Sequence, residues 1–362
     1  MTPPAGRAQE RGDIGNAVHL LDLDRQALRD WFAAAGQPPY RADQLLDWVY
    51  AKGAASFAEM TNLPKQLRAW AAEHCAIHTS AIARELASTD GARKLLLTWP
   101  DGAAVETVWI PEAHRQTVCV SSQVGCPVGC QFCASGLGGL QRNLTAGEIV
   151  EQVLHVRRLL RATTQDPAAR LSNVVFMGMG EPLANYAAVL KAVRTINAPW
   201  GLGIGARKIT ISTVGLPKQI RQLAEEDLQL NLALSLHAPT EELRRELIPW
   251  AKVPLQEVLE ACQHYFERTG RELTLEYVLL AGVNDHPIHA RQLAMIARRL
   301  RANVNVLRYN PVPGLAFERP SSEVARKFQE LLRASSVNAH VRTSRGQDIS
   351  AACGQLRRGE AL

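Results

Sequence analysis

The sequence of 362 residues contains no run of 18 or more apolar residues, which excludes a bilayer-spanning helix on length alone. Its opening stretch, MTPPAGRAQERGD, lacks the apolar centre of a secretory signal. These absences give the expectation of a cytoplasmic protein with no membrane partner. Neither internal repeats nor long low-complexity tracts are evident. Neither sign of charge dominates: 41 basic residues stand against 35 acidic ones, a net charge of +6. That balance suggests a polyanionic partner without establishing one. The groups Arg157, Arg158, Arg161 and Arg298, Arg299, Arg301 fall within helical patterns and read as solvated helix faces. The seven cysteines are odd in number and partly clustered, which points to thiols serving metals or catalysis in a reducing compartment rather than to a disulfide framework.

Three of those cysteines, Cys126, Cys130 and Cys133, stand in GCPVGCQFCASG with no fourth cysteine at ligand distance in sequence. Iron-sulfur clusters are usually held by four cysteinates, so a cubane held by three leaves one iron open to another molecule. A zinc site completed by a histidine or a distant cysteine is the competing reading. Three buried core cysteines are a weaker one. The triplet ends a β-prone run, Thr117 to Val124, and Gly125, Pro127, Gly129 and Gly136 make its surroundings a loop, where sites rather than cores are found.

A chain of this length accommodates one barrel-sized domain and a small appended one. Residues 1–15, rich in Pro, Gly and charge, read as a disordered tail. Residues 16–92 read as a small helical domain, on the periodic groups Leu28, Trp31 and Phe32, then Leu45, Leu46, Trp48 and Val49, then Leu67 and Trp70. From Lys94 the pattern changes to LLLTW and VETVWI around the turn Pro100, Asp101 and Gly102, a β-hairpin or extension. Strands are expected near 117–124, 173–178, 208–213, 230–236, 273–280 and 304–309, alternating with amphipathic helices. This alternation predicts an α/β fold, an incomplete (β/α)6 barrel with a parallel sheet, over residues 93–345. Its active-site face lies at the C-terminal strand ends, where the cysteine loop, Gly180 and Glu181, Ser212, Ser235 to His237, and Asn310 all fall. Taken singly, these residues are ordinary turn and cap residues. Cys119, before the loop, and Cys353, in the segment 346–362, are far apart in sequence yet able to converge at the barrel mouth. A fourth cluster ligand or two inert thiols are the alternatives. Cys75 and Cys262 read as structural.

The segments VETVWIP, GCPVGCQFCASG, NLTAGEIVEQV, MGMGEPLANY, ITISTVG, LSLHAP, EYVLLAGVND, YNPVPG and ISAACGQL are similar, in that order, to the RlmN/Cfr family of radical S-adenosylmethionine (SAM) RNA adenine methyltransferases, over roughly residues 15–356. The resemblance implies a radical SAM partial barrel holding one [4Fe-4S] cluster on Cys126, Cys130 and Cys133. It implies SAM, two per turnover, with Glu181 holding the methionine ammonium and Gly180, Ser212, Ser235, Leu236, His237 and Asn310 as further contacts. It makes Cys353 the methyl carrier, Cys119 the thiol that resolves it through a transient disulfide, and Glu106 the base. The helical domain becomes an RNA-docking module.

Carbon 2 of adenine, flanked by two nitrogens, is too poor a nucleophile for direct methyl transfer, which is why such apparatus is needed. The implied targets are adenosines of 23S rRNA, in the peptidyl-transferase centre, and of tRNA, next to the anticodon. An unidentified electron donor and a monomeric state complete the expectation. Methylation at carbon 8, as in the Cfr branch, is the near alternative, and the glycine-rich ASGLGGLQRNL bears on it. A non-catalytic metal-stabilised RNA-binding protein and a radical SAM protein activase are the more distant ones.

Overall fold

The computed structural model describes residues 17–250 and 252–357; the tail expected over residues 1–15 lies outside the described residues. Helices Arg25–Ala34, Tyr40–Leu46 and Lys65–His74 form the N-terminal part. The expected apolar positions hold it together. Leu28, Phe32, Leu45, Leu46, Val49 and Leu67 are buried, and Trp31 packs against Trp70 with ring centroids 5.0 Å apart. Asp24 caps the first helix by accepting from the Ala27 N–H at 2.8 Å, satisfying an otherwise orphaned donor.

The main sheet has ten strands. Its parallel portion runs through Arg115–Cys119, Asn173–Phe176, Ile209–Thr213, Asn231–Ser235, Thr274–Leu279 and Asn303–Arg308. Helices connect each to the next, so the six expected βα units form the expected partial barrel. Two features differ from the sequence expectation. The run 117–124 does not continue as one strand: after Cys119 the chain leaves the sheet, and Gln123–Gly125 pairs instead with Leu140–Asn143. The Gln152 side chain captures this bend, accepting from the Ser121 N–H at 2.8 Å and donating to the Ser121 carbonyl at 2.9 Å. A further parallel strand, Ala339–Arg342, adds beside Asn303–Arg308.

On the opposite edge, Arg93–Thr98 and Ala104–Glu112 form the expected antiparallel extension, and Ala81–Ala87 adds a third strand. That last strand lies in the stretch read as helical. Its sequence, AIARELA, is exposed along nearly its whole length, so it carries no inside-outside alternation. Only pairing with its neighbour makes it a strand.

Helix Ala146–Thr164 follows the first parallel strand and lies between the sheet and the N-terminal helices. Thr145 and Glu148 close its first turn as a capping box. Gly147 is required by closeness: a Cβ there would stand 2.6 Å from the His19 ring, and its N–H donates to Asp22 at 2.8 Å. No helix among the described residues is long and apolar enough to cross a membrane.

Candidate active site

The cysteine loop and the C-terminal strand ends line one cavity. Cys126, Cys130 and Cys133 line it. The loop is tightly closed, since a Cβ on Gly136 would stand 2.9 Å from the Gly129 Cα. Burial pushes the Cys126 thiol up to about 12 and raises those of Cys130 and Cys133, and for Cys130 the neighbouring Cys133 and Cys126 add to the effect. Three converging thiols of this kind become thiolates only when a metal takes them.

An iron-sulfur cubane takes cysteine sulfurs at its corners, and three cysteines converging from one loop on the cavity leave one corner without a cysteine. The residues therefore fit the cluster. A second donor group, His78, Glu151 and His155, has ligand atoms within 4.8 Å of one another, and the Nδ1 atoms of both histidines are buried without a hydrogen-bond partner. Glu151 Oε1 accepts from the Thr79 N–H, the Ser80 N–H and the Ser80 hydroxyl, and Arg158 stands 2.9 Å from His78 Nε2. This is a hydrogen-bonded junction between the N-terminal part and the barrel.

Glu181 is buried at the end of the second parallel strand. Its carboxylate accepts from the Val214 N–H at 2.8 Å and the Leu183 N–H at 3.0 Å. Desolvation nevertheless raises its pKa from 4.5 to about 7. Gly180 beside it has φ +101°, and a Cβ there would meet Gln123 Cβ at 2.7 Å, so glycine is needed for both conformation and space. Ser212 and Ser235, on adjacent strands, share a hydrogen bond of 3.1 Å at the cavity wall. His237 lies in the left-handed region at φ +57°. Its Nδ1 accepts from the Val278 N–H at 3.1 Å, which fixes the neutral ring with its proton on Nε2. Burial, with Arg244 nearby, lowers its pKa to about 3.

Other expected residues sit differently. Leu236 is fully buried in the core and is not part of the cavity wall. Asn310 lines the cavity, but its amide is engaged on both sides: it donates to the Cys353 carbonyl at 3.1 Å and accepts from Gln347 at 2.8 Å. Glu106 lies on the antiparallel extension, outside the cavity wall, where Lys94 stands 2.8 Å away and the Arg357 N–H donates to it at 3.0 Å.

Cys353 is exposed, and the space it meets is the cavity it lines. Its position is set by the C-terminal segment, which is tied down along its length. Asp348 accepts from Ser88 at 2.6 Å, Lys94 donates to the Ser350 carbonyl at 3.0 Å, the Ala134 N–H donates to the Gly354 carbonyl at 2.7 Å, and Ser135 donates to the Leu356 carbonyl at 2.6 Å. Loss of solvation among the surrounding atoms, then the Glu276 charge, holds its thiol up to about 11 against the pull of Arg342. Cys119 is buried close enough for its charge to interact with that of Cys353. Cys75 and Cys262 are buried apart from this site.

Sequence reasoning missed Glu276 and Asn284. Glu276 and Val278 line the cavity while Leu275, Tyr277 and Leu279 pack away from it, so strand alternation could have flagged the carboxylate. Asn284 is fully buried and donates to the carbonyls of His237 and Val278, holding the strained His237 turn in place. No local pattern announces that role.

Residues 18–77 match the N-terminal domain of ribosomal RNA large subunit methyltransferases, and residues 120–294 match the radical SAM superfamily. A probable dual-specificity RNA methyltransferase RlmN of Rhodopirellula baltica is 49% identical, over 94% of this chain and 91% of its own. Its counterpart from Thermosynechococcus vestitus is 48% identical, over 95% and 99%. The crystal structure of a radical SAM methyltransferase from Sphaerobacter thermophilus superposes with a TM-score of 0.91 at 46% identity, covering 94% of this chain and all of that one. With the cysteine loop, the partial barrel and the N-terminal helices all matched, this chain belongs to the RlmN family of radical SAM RNA methyltransferases, enzymes that use a [4Fe-4S] cluster and SAM.

Proposed function

We propose that the enzyme methylates carbon 2 of adenosine in both 23S rRNA and tRNA, with Cys353 carrying the carbon. The observation that supports this most directly is the presence of two kinds of sulfur at one cavity: the Cys126, Cys130 and Cys133 triplet, and Cys353 on a separately anchored segment. The relatives are named dual-specificity RNA methyltransferases, which suits two RNA substrates.

The triplet would hold the cluster, which together with SAM would supply the methyl electrophile and the hydrogen-abstracting power. The chain does the rest. Cys353 takes up a methyl group, and that carbon, once activated by loss of hydrogen, bonds to C2 of a base withdrawn from its stack. One electron leaves the adduct, and Glu106 accepts the C2 proton after the C-terminal segment and Lys94 release it. Cys119 then attacks the Cys353 sulfur, freeing the methylated base and leaving a Cys119–Cys353 disulfide that external thiol must reduce. Each turnover uses two SAM molecules. The N-terminal helices dock folded RNA by shape. The setting is cytoplasmic, and the enzyme acts as a monomer fed by a separate electron donor.

The test is an anaerobic assay of the full chain with reductant, SAM and rRNA or tRNA. Iron and sulfide in the protein, 5′-deoxyadenosine and 2-methyladenosine in digested RNA are the expected results. Zinc in place of iron would overturn the reading, and 8-methyladenosine would move the enzyme to the Cfr branch, which ASGLGGLQRNL partly resembles.

A further inference from the structure

The junction between the N-terminal part and helix Ala146–Thr164 gathers three histidines around one carboxylate. Strand Val18–His19 pairs with Cys75–Ala76, which brings His19 toward the segment carrying His78, Thr79 and Ser80. Glu151 and His155, four residues apart, share one face of the helix. Glu151 is fully buried. His78 Nδ1 stands 3.4 Å from its Oε1, His155 Nε2 stands 3.5 Å from the same oxygen, and His19 Nε2 stands 3.7 Å from Oε2. All three separations exceed the roughly 2.7–2.9 Å of a charge-assisted hydrogen bond. Among the described residues, His78 Nδ1 and His19 Nε2 are buried without a hydrogen-bond partner. Two donors on one tetrahedral zinc, each bound at about 2.1 Å, lie roughly 3.4 Å apart, close to the spacing of His78 and His155 from Oε1.

We propose that His78, Glu151 and His155 bind a zinc ion that ties the N-terminal part to the barrel, with His19 Nε2 at hand for the fourth position. Two imidazoles and a carboxylate are a donor set that zinc takes, and their ligand atoms lie within 4.8 Å of one another. Glu151 accepts from the Thr79 N–H at 2.9 Å, the Ser80 N–H at 2.8 Å and the Thr79 hydroxyl at 3.0 Å, bonds that orient it as outer partners orient a ligating carboxylate. Asp22 Oδ2, 3.5 Å from His19 Nδ1, serves that ring in the same way. Burial lowers the His78 pKa against the pull of Glu151, and the His155 and Arg158 charges lower it further, so the ring is neutral and able to ligate. Two groups must move. The Ser80 hydroxyl bridges Oε1 and His155 Nε2 at 2.8 and 3.0 Å, and rotation about one bond turns it aside. Arg158 stands 2.9 Å from His78 Nε2, which carries a proton once Nδ1 is a ligand, so this guanidinium must swing away; its residue is exposed and has solvent to enter. None of these residues lines the cavity of the cysteine loop.

The test is zinc binding to the cluster-loaded full chain, followed by isothermal titration with zinc chloride, metal analysis and thermal melting. One zinc per chain should bind in addition to the iron, and it should raise the melting temperature. His78→Gln and His155→Gln should each weaken zinc by more than the roughly 10–100-fold that loss of an outer partner costs, keep their iron, and lose the zinc-dependent rise in melting temperature. Arg158→Ala, a change at an exposed position, should bind zinc more tightly, because the cation beside His78 is gone. A wild-type chain that takes up no zinc beyond its iron overturns the proposal. So does zinc held at wild-type affinity by both histidine variants, which would assign the ion to thiols instead, whether or not it displaces iron from the cysteine loop. Unchanged or weaker zinc binding by Arg158→Ala would overturn ligation through His78 Nδ1.

Discussion

Lys94 Nζ stands 2.8 Å from a Glu106 carboxylate oxygen, with both side chains buried between adjacent strands. The same lysine donates to the Ser350 carbonyl at 3.0 Å, and Glu106 accepts from the Arg357 N–H. One ion pair thus grips the segment carrying Cys353 from both sides. Lys94→Met should destabilise the protein by roughly 3 kcal/mol or more, because it strands a buried carboxylate. Adding Glu106→Gln should recover part of that loss. Urea denaturation of the two single variants and the double variant measures the coupling.

Gly180→Ala forces a Cβ to within 2.7 Å of Gln123 Cβ and 2.8 Å of Ser122 Oγ, at a φ of +101°. The cost is on the order of 1–3 kcal/mol if the backbone holds, and more of it appears as displacement of Glu181 if it yields. Thermal melting should fall modestly. The Kd for S-adenosylhomocysteine should rise more than that loss of stability explains.

Glu181 makes stability depend on pH in an unusual direction. Its folded pKa, about 7, lies above the ordinary 4.5, so between those values the folded chain holds a proton that the unfolded chain has lost. The Glu181 contribution to stability therefore falls as pH rises through this window, by about 3 kcal/mol in all, while buried neutral His237, with its pKa lowered from 6.5 to about 3, contributes in the opposite direction below pH 6.5. The difference between the wild-type chain and Glu181→Gln, each denatured cluster-free at pH 5 and pH 8, isolates the Glu181 contribution: the wild type should lose stability relative to the variant as pH rises.

Cys353→Ala should abolish RNA methylation while iron content stays near that of the wild type, since Cys353 is not among the three loop cysteines. Cys119→Ala should leave the carbon bridge between Cys353 and RNA unresolved, so a covalent RNA–protein adduct should accumulate on denaturing gels. An active Cys353→Ala variant would contradict the carrier role.

Much of the barrel was legible because its signals are local. Short apolar runs bounded by turns located the parallel strands, and the cysteine loop and GEP turn stood at the strand ends where barrel sites form. Two strands of the main sheet escaped this reading. Ala81–Ala87 is exposed along its length, and Ala339–Arg342 is short; each exists because an adjacent strand offers an open edge. The Arg157, Arg158 and Arg161 group, read as a solvated face, is instead drawn toward the N-terminal part, with Arg157 buried and bonded to the Val49 and Tyr50 carbonyls. Periodicity assigns a residue to a face but does not say what covers that face.

Sequence alone determined the three-cysteine loop, the order of βα units and the family, since each depends on neighbours along the chain. Only the tertiary structure decided that Cys353 reaches the cavity, that Glu106 begins in an ion pair with Lys94, and that Glu276 lines the cavity. Those relations join residues far apart in the chain, through hydrogen bonds and strand pairing that exist only after the sheet has assembled and the C-terminal segment has closed across it.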